Sequence, residues 1–370
     1  METKIKVQID YVMEAIETLF RYANQEDYHK LKQSLMNKYT LNTNVLDKLD
    51  KVIRISDSVY QKMNIDEDTL NFYFKKINNA SLCIARIVLL IHPDIASDNL
   101  NDRVQILHNL TKEDIYLRVA TILSEHDMLE TDSMSEIKSL EDLIKVVDQM
   151  EISSQDKWNL TKVFLDYEKY LNELTKILNE IITYIEACSN EITDIMNLFI
   201  TSWERYLITN DIDSYLEKQL NINIGNEAEK VCMIPSIMAC NSITLTMVTD
   251  KNLSSNNQKI LYMYTGILFD DSFDTSKKQM NAVSISNQLK LLGDKNKLEI
   301  LLKIKENKAY GQELADYLGL TTATISHHMS SLMDAGFVFI EKDNNRVYYS
   351  LNKDKINEVL QLAKQALIDS

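Results

Sequence analysis

A short stretch near the C-terminus carries small hydrogen-bonding side chains at helical spacing. The set consists of Thr322, Ala323, Ser326 and His327, at i, i+1, i+4 and i+5 on one helical face. A solvent-facing helix surface normally carries Lys and Glu. Hydroxyls, a methyl group and one imidazole instead allow close approach to another surface and short hydrogen bonds. A helix that reads base edges in the DNA major groove needs this kind of face.

The surrounding residues predict the helix that positions this face. Thr321 is a good N-cap, and Gly336 follows the last helical position as a left-handed C-cap does. The inward stripe of the helix consists of Ile325, Met329 and Leu332. Just upstream, residues 311–319 predict another helix that ends at a glycine. The pair is therefore predicted to form a helix-turn-helix.

A β-hairpin is predicted directly after these helices. Residues 337–342 and 346–351 are β-rich, and Asp343, Asn344 and Asn345 between them are typical turn residues. Basic residues flank the turn at Lys342 and Arg346. A basic hairpin after a recognition helix is typical of a wing.

Residues from about 287 to 360 resemble the ArsR-type winged-helix transcriptional regulators. The motifs that carry the resemblance are Leu292–Ile300, Glu313–Ala315, Thr324–His328, Ala335–Val338 and Arg346–Leu351. The resemblance implies base-facing roles for Thr322, Ala323, Ser326 and His327, with Thr324 near the DNA backbone. It places Lys342 and Arg346 in the wing. It covers about a fifth of the chain.

In the resembled family the first and last helices of the winged helix form a two-fold dimer interface. This chain has apolar stripes in both places, and burial within their own domain would explain part of them. The dimerisation residues implied are Ile285, Leu289, Leu292, Ile356, Val359, Leu360, Ala363 and Leu367. We expect a homodimer on a pseudo-palindromic double-stranded operator.

Metal sensing is the best-known activity of the resembled family, and here the sequence departs from it. Residues 312–318 contain no cysteine pair, and residues 353–367 contain no histidine. His327 and His328 are adjacent, so their side chains point about 100° apart on a helix and cannot chelate one ion together. We expect neither a metal site nor a cofactor.

Enzymatic chemistry has little support in the sequence. There is no glycine-rich phosphate loop, since the first glycine is Gly225, and no nucleophile elbow or His-Glu-x-x-His motif occurs. The four cysteines are too few for a disulfide framework in a chain of 370 residues. Ordinary thiols are the favoured interpretation, with a redox pair as the alternative.

The charge is distributed unevenly along the chain. Residues 281–370 contain 11 basic and 11 acidic residues, so the net charge of −15 lies entirely in residues 1–280. Such an acidic region repels DNA. No apolar run is long enough to span a bilayer, and the first residues do not form an apolar signal segment. We expect a cytoplasmic protein that does not enter membranes.

The glycines mark the domain organisation. All six lie after residue 224, so the preceding region is predicted to consist of long helices joined by Asn, Asp and Ser loops. The predicted domains are a helical domain at 1–225, a small antiparallel β subdomain at 226–270 that residues 4–10 can join, and a winged helix at 281–370. Residues 269–278 form the predicted linker. The fold class is mainly α, with an α+β winged helix.

Further helices are predicted before residue 151. They cover about 11–23, 26–38, 45–63, 69–91, 100–107, 112–129 and 140–150. The strongest apolar repeat runs from Leu160 to Phe199 with steps of three and four residues, which predicts a helix of about 60 Å. It is interpreted as a core helix or, less favoured, as a coiled-coil seam.

Together these features predict a DNA-binding transcriptional regulator, most simply a repressor. Residues 1–270 would sense a small organic effector. The alternative is an interaction or scaffold regulator in which the helical domain docks a partner protein.

Overall fold

The computed structural model describes residues 2–38, 41–78, 80–91, 99–126, 128–129, 137–220, 222–223, 228–250, 258–269, 282–343 and 346–368. These residues form two compact units. Unit 1 comprises Met1–Asn37, Leu41–Ile208 and Ala228–Asp274. Unit 2 comprises Lys38–Thr40, Thr209–Glu227 and Thr275–Ser370. All of the predicted linker beyond Phe269 lies outside the described residues.

Unit 1 is mainly helical. Its helices are α1 (Tyr11–Ala23), α2 (Tyr28–Lys38), α3 (Thr43–Lys62), α4 (Glu67–Phe74), α5 (Ile84–Val88), α6 (Leu100–His108), α7 (Lys112–Glu125), α8 (Leu140–Gln149), α9 (Ser154–Leu165), α10 (Tyr167–Glu186) and α11 (Ser189–Thr209). Many begin at a side-chain cap; for example, Asp10 accepts the N–H groups of Val12 and Met13. The mainly helical fold class is confirmed.

The prediction of a single long helix across Leu160 to Phe199 is wrong. The structure divides it into α9, α10 and α11, with one break at Asp166 and another between Glu186 and Ser189. Asp166 has φ −140° and ψ 55°, which is not helical. The repeat continues across both breaks because all three helices bury apolar side chains, and spacing alone does not reveal a short interruption.

Helix α10 is a core helix of unit 1. Its apolar stripe is fully buried and consists of Leu171, Leu174, Leu178, Ile181 and Ile185. Contacts with α1, α3, α5, α6 and α9 surround the helix. The stripe is therefore covered within its own unit, as the core-helix interpretation expects. No apolar face of α10 is left for a coiled-coil seam.

The helix predicted at 69–91 is also divided, into α4 and α5. The helix ends at Phe74, and Asn78 adopts a positive φ of 50°. A left-handed residue cannot continue a right-handed helix. The other predicted helices before residue 151 are present, with ends shifted by up to about four residues.

Unit 1 also contains a four-stranded sheet. Its strands are β1 (Glu2–Ile5), β3 (Lys230–Ser236), β4 (Ile243–Asp250) and β5 (Gln258–Gly266), in the order β1-β3-β5-β4. Strands β1, β3 and β5 run parallel, and only β4 is antiparallel to β5. The sheet is thus mixed, so the antiparallel prediction is wrong. The N-terminal strand does join it, but at residues 2–5 rather than 4–10.

The sheet order requires the connection from β3 to β4 to cross the end of β5. Gly266 lies at that crossing: a Cβ atom there would approach the carbonyl oxygens of Cys240 and Ala239 to 2.3 and 2.4 Å. Backbone oxygens cannot move aside as a flexible side chain can. Glycine at this position therefore permits the crossing.

Buried polar side chains hold this connection in place. The N–H groups of Ile237 and Met238 donate to Glu14 Oε1 and Oε2 at 3.0 and 2.6 Å. Tyr28 Oη donates to the Met238 carbonyl at 2.7 Å. Just after β5, Lys48 Nζ donates to the Ile267 carbonyl at 3.1 Å. Burial raises the pKa of Glu14 to about 7, although these amide hydrogen bonds oppose the shift.

The raised pKa of Glu14 predicts a pH-dependent stability. The pKa of Glu14 is higher in the folded chain than its unfolded value of 4.5. The contribution of the Glu14 carboxyl to folding stability is therefore fully present below about pH 4.5 and is lost as the pH rises through about 7. We expect the wild type to lose on the order of 2 kcal/mol relative to Glu14→Gln between pH 5 and 8. Urea unfolding across that range measures the difference.

The exposed carboxylate Glu67 provides the control for this experiment. The stability of Glu67→Gln should differ from that of the wild type by a constant amount between pH 5 and 8. Parallel stability curves for wild type and Glu14→Gln would contradict the assignment of the titration to Glu14.

Unit 2 contains the winged helix. Its helices are α12 (Ile212–Leu220), α13 (Ala282–Leu292), α14 (Lys295–Glu306), α15 (Gly311–Leu318), α16 (Thr322–Asp334) and α17 (Lys353–Leu367). Its strands are β2 (Ile222–Asn223), β6 (Ala309–Tyr310), β7 (Val338–Asp343) and β8 (Arg346–Leu351), in the order β2-β7-β8-β6. The predicted C-terminal winged helix is confirmed.

Candidate nucleic-acid interface

Helices α15 and α16 form the predicted helix-turn-helix. Helix α15 ends at Gly319, which has φ 65° and ψ 34°. Thr321 then caps α16, because its Oγ1 accepts the N–H of Thr324 at 3.2 Å. Gly336 follows α16 with φ 74°. Both glycines adopt the left-handed conformation that ends a helix, as the sequence predicts.

One face of α16 is fixed in the core of unit 2. Ile325, Met329 and Leu332 are almost fully buried and pack in a cluster with Leu314 of α15 and Phe337. This packing fixes the rotation of α16 about its axis. The opposite face is consequently held toward solvent.

The predicted base-facing residues differ in exposure. Ser326 and His327 are exposed, whereas Thr322, Ala323 and Thr324 are half-buried. The hydroxyl of Thr324 lies 2.9 Å from that of Thr321 within the cap. Ser326 and His327 therefore present the most accessible polar groups of the predicted set, and Thr324 is partly committed to the cap.

Ser330 belongs to the same exposed face, although the prediction did not include it. It is exposed and lies four residues after Ser326 and seven after Ala323. The spacing i, i+3, i+4 and i+7 from Ala323 would have identified it. The solvent face of α16 thus extends one turn further than predicted.

His328 has a different environment from His327. It is half-buried, and neither ring nitrogen has a hydrogen-bond partner. Burial lowers the pKa of His328, and the Lys297 ammonium lowers it further. Its half-buried imidazole therefore favours the neutral form.

The hairpin of β7 and β8 forms the wing. Asp343 pairs with Arg346 at its last register position, and Lys342 pairs with Val347. The turn residues Asn344 and Asn345 lie outside the described residues. The register places both predicted basic residues, Lys342 and Arg346, within one step of the hairpin end. Strand β6 pairs with β8 on its other edge.

The predicted dimerisation residues separate into three groups. Ile285, Val359 and Ala363 are buried within the chain, and Leu289, Leu292 and Ile356 are half-buried. Leu360 is 50% exposed and Leu367 is 80% exposed. The last two are seven residues apart and share one face of α17. They are the members that remain available to another molecule.

No group of three or more His, Cys, Asp or Glu side chains among the described residues is arranged to hold a metal ion. On α17, both carboxylate oxygens of Glu358 accept from Lys355 Nζ at 2.9 and 2.8 Å. The four cysteines are free thiols, with Cys83 and Cys240 buried. No helix in the described part of the chain has both the length and the apolar composition needed to cross a bilayer.

The helix-turn-helix, the wing and the exposed face of α16 together define a winged helix-turn-helix transcriptional regulator. A model of the family described as "Bacterial regulatory protein, arsR family" matches residues 294–338. The arsenical resistance operon repressor of Staphylococcus aureus is 33% identical over 82 residues, which cover 22% of this chain and 79% of that protein. The chain belongs to the ArsR family of bacterial regulatory proteins.

Other similar proteins match about a quarter of the chain. The cadmium resistance transcriptional regulatory protein CadC of Listeria innocua is 29% identical over 99 residues, covering 26% of this chain and 83% of that protein. The crystal structure of NolR from Sinorhizobium fredii shares 22% identity, covering 24% of this chain and 89% of that one, with a TM-score of 0.20. At that TM-score the likeness does not bear on the fold.

Proposed function

We propose that this protein is a transcriptional repressor that binds a pseudo-palindromic double-stranded DNA operator as a homodimer. An organic effector that binds within residues 1–270 releases it. The observation that carries the proposal is the exposed Ser326–His327 face on a helix whose opposite face is fixed in the core. We assign it no catalytic step.

The DNA contacts divide by chemistry. Ser326 and His327, with Thr322 and Ala323, are proposed to contact base edges, because hydroxyl, imidazole and methyl groups can distinguish bases in the major groove. Lys342 and Arg346 are proposed to contact phosphates from the wing, and Thr324 lies near the backbone. With no net charge in residues 281–370, these few basic groups must supply the phosphate contacts.

The dimer is proposed to form through α13 and α17. Leu360 and Leu367 expose apolar side chains on one face of α17, and a second copy of the chain can cover them. The buried members of the predicted set, such as Val359, would support the stripe from behind. Two copies then present two α16 helices to successive major grooves.

The effector site is assigned to residues 1–270. This region carries the whole net charge of −15 and adds no attraction to DNA. We propose an organic effector rather than a metal, because α15 lacks cysteine and α17 lacks both histidine and cysteine. The gap beside Glu14 and Met238 is too narrow to hold even a water molecule, whereas drug-sized ligand sites measure ~300–1,000 Å³. We therefore do not place the effector there.

Selection from a random duplex library with the full chain tests the DNA-binding function. We expect enrichment of a sequence with two-fold symmetry and protection of two half-sites about one helical turn, or a small multiple of it, apart. Failure to enrich any sequence would contradict the proposal.

Fractionated cell extract, added to the complex of full chain and selected duplex, tests the effector. Release by the dialysable fraction, unaffected by a chelator, supports an organic effector. Release only by the macromolecular fraction would instead favour a regulator whose helical domain docks a partner protein. Loss of the releasing activity on chelation would favour a metal.

Arg346→Ala should weaken binding to selected and unselected duplexes alike. A phosphate contact releases about one counterion, so the slope of log affinity against log salt concentration should fall by about one. Fluorescence anisotropy at several salt concentrations measures the slope. Arg54→Ala, at an exposed arginine of unit 1, is the control and should leave the slope unchanged. An unaltered slope in Arg346→Ala would remove the wing from the binding surface.

A further inference from the structure

The sheet that carries the wing has one side toward the core of unit 2 and one side away from it. Ala309 of β6 pairs with Tyr349 of β8, and both side chains lie in the core. Successive residues of a strand point to opposite faces of the sheet. The next row across the same three strands therefore lies on the outer side. It consists of Tyr310, Tyr348 and Glu341.

Lys308 connects the strands of this outer row. Its Nζ lies 2.6 Å from Glu341 Oε1 and 5.0 Å from the centre of the Tyr348 ring. The Tyr348 ring packs edge-on against Tyr310, with 5.6 Å between the ring centroids. A cation over an aromatic face and an edge-to-face pair of rings are both favourable arrangements. One lysine directly before β6 is thus in contact with β7 and β8 together.

These contacts join the wing to the helix-turn-helix. At one end, Glu341 directly precedes Lys342, a basic residue assigned to the wing. At the other end, Tyr310 directly precedes α15, and its N–H donates to the Glu313 carboxylate at 3.1 Å. Helix α15 packs in turn against the recognition helix α16. A continuous set of contacts therefore runs from the wing to the helix-turn-helix.

The charges of Lys308 and Glu341 do not favour a direct role in attracting DNA. A carboxylate beside the basic end of the hairpin repels phosphates, and the lysine that pairs with it only cancels that charge. An ion pair between two exposed side chains also contributes little to overall stability. What the pair provides is a fixed position of one strand relative to its neighbours.

We propose that Lys308, with Tyr310 and Tyr348, holds the wing in place relative to the helix-turn-helix, so that both reach the DNA together. The three are positioning residues that act through Lys342 and Arg346. This inference rests on the proposed function, in which those two basic residues contact phosphates. A wing that is already in position loses less conformational freedom on binding, and its affinity for DNA is higher for that reason.

Fluorescence anisotropy of Lys308→Met and Glu341→Gln in the full chain tests this role. The two substitutions break the same ion pair and change the charge in opposite directions. Lys308→Met should weaken binding to selected and unselected duplexes by about threefold to tenfold, because the ion pair and the cation–π contact are both lost. Glu341→Gln should weaken binding as well, although removal of a negative charge would by itself tighten it.

A second background identifies where Lys308 acts. In a chain that already carries Lys342→Ala and Arg346→Ala, Lys308→Met should have no further effect, because the wing no longer contacts phosphates. A general loss of stability, or a direct phosphate contact by Lys308, would instead reduce the affinity equally in both backgrounds. Lys303→Met is the matched control. Lys303 Nζ also lies 5.0 Å from the centre of a tyrosine ring, that of Tyr317, and the substitution should leave the affinities unchanged.

The outcomes separate the positioning role from the proposed function. An unchanged affinity in Lys308→Met, or an equal loss in both backgrounds, overturns the positioning role and leaves DNA binding intact. Unchanged or tighter binding by Glu341→Gln overturns it too. If the wild type selects no duplex, the proposed function fails, and the positioning role fails with it.

Discussion

Leu360→Asp is expected to abolish tight binding to the selected two-half-site operator. Leu360 is 50% exposed on the face of α17 that also carries Leu367, and a charge there cannot be buried against a second copy without a large desolvation cost. Separate monomers would each bind one half-site, and the increase in affinity that a dimer obtains by binding both half-sites at once would be lost. We expect an affinity loss of about a hundredfold or more, measured by anisotropy with light scattering in parallel.

Leu302→Asp is the matched control for this change. Leu302 lies on α14 and is 52% exposed, so the two substitutions place the same charge on equally accessible leucines. The control should remain dimeric and bind as the wild type does. A Leu360→Asp variant that scatters as a dimer, or a monomeric wild type that binds tightly, would rule out the interface on α17.

Local signals were sufficient to predict the recognition helix. Thr321 caps α16 through its own hydroxyl, and Gly336 adopts the left-handed conformation that follows a helix. The stripe of Ile325 and Met329 is buried as its spacing predicts. Each of these signals depends on residues within one or two helical turns, and such local preferences survive in the tertiary structure.

The strand order in the sheet of unit 1 could not be predicted from local sequence signals. The three strands after residue 229 were predictable from their β-rich composition, but their order was not. Alternation within a strand reports which face is buried and contains no information on which strand lies beside it. The parallel pairing of β3 with β5 depends on the close approach at Gly266, where the β3–β4 connection crosses.

The apolar stripes assigned to dimerisation show another limit of prediction from sequence periodicity. Val359 and Leu360 are adjacent, yet the first is fully buried in the chain and the second is half exposed. An apolar repeat on α17 identifies both, because periodicity does not distinguish a face that packs within the domain from one that packs on another copy. Strand β2, only two residues long, has no periodicity to detect.

Ser326→Ala and His327→Ala are each expected to reduce the discrimination between selected and unselected duplexes. Both side chains are exposed on the face of α16 opposite its buried stripe, where a hydroxyl or imidazole can reach a base edge. Each substitution should reduce the free energy of binding to the selected duplex by about 1–3 kcal/mol and should change binding to unselected DNA little. Titrations of both duplexes at one fixed salt concentration measure the two affinities.

His29, an exposed histidine of unit 1, provides the control, and His29→Ala should leave both affinities unchanged. The pattern of the loss identifies the role of each side chain. A base contact affects only the selected duplex, whereas a phosphate contact weakens both duplexes equally. Equal losses on the two duplexes would therefore remove Ser326 or His327 from base recognition and place that side chain on the DNA backbone. If neither substitution reduces the affinity for either duplex, the exposed face of α16 does not contact the bases.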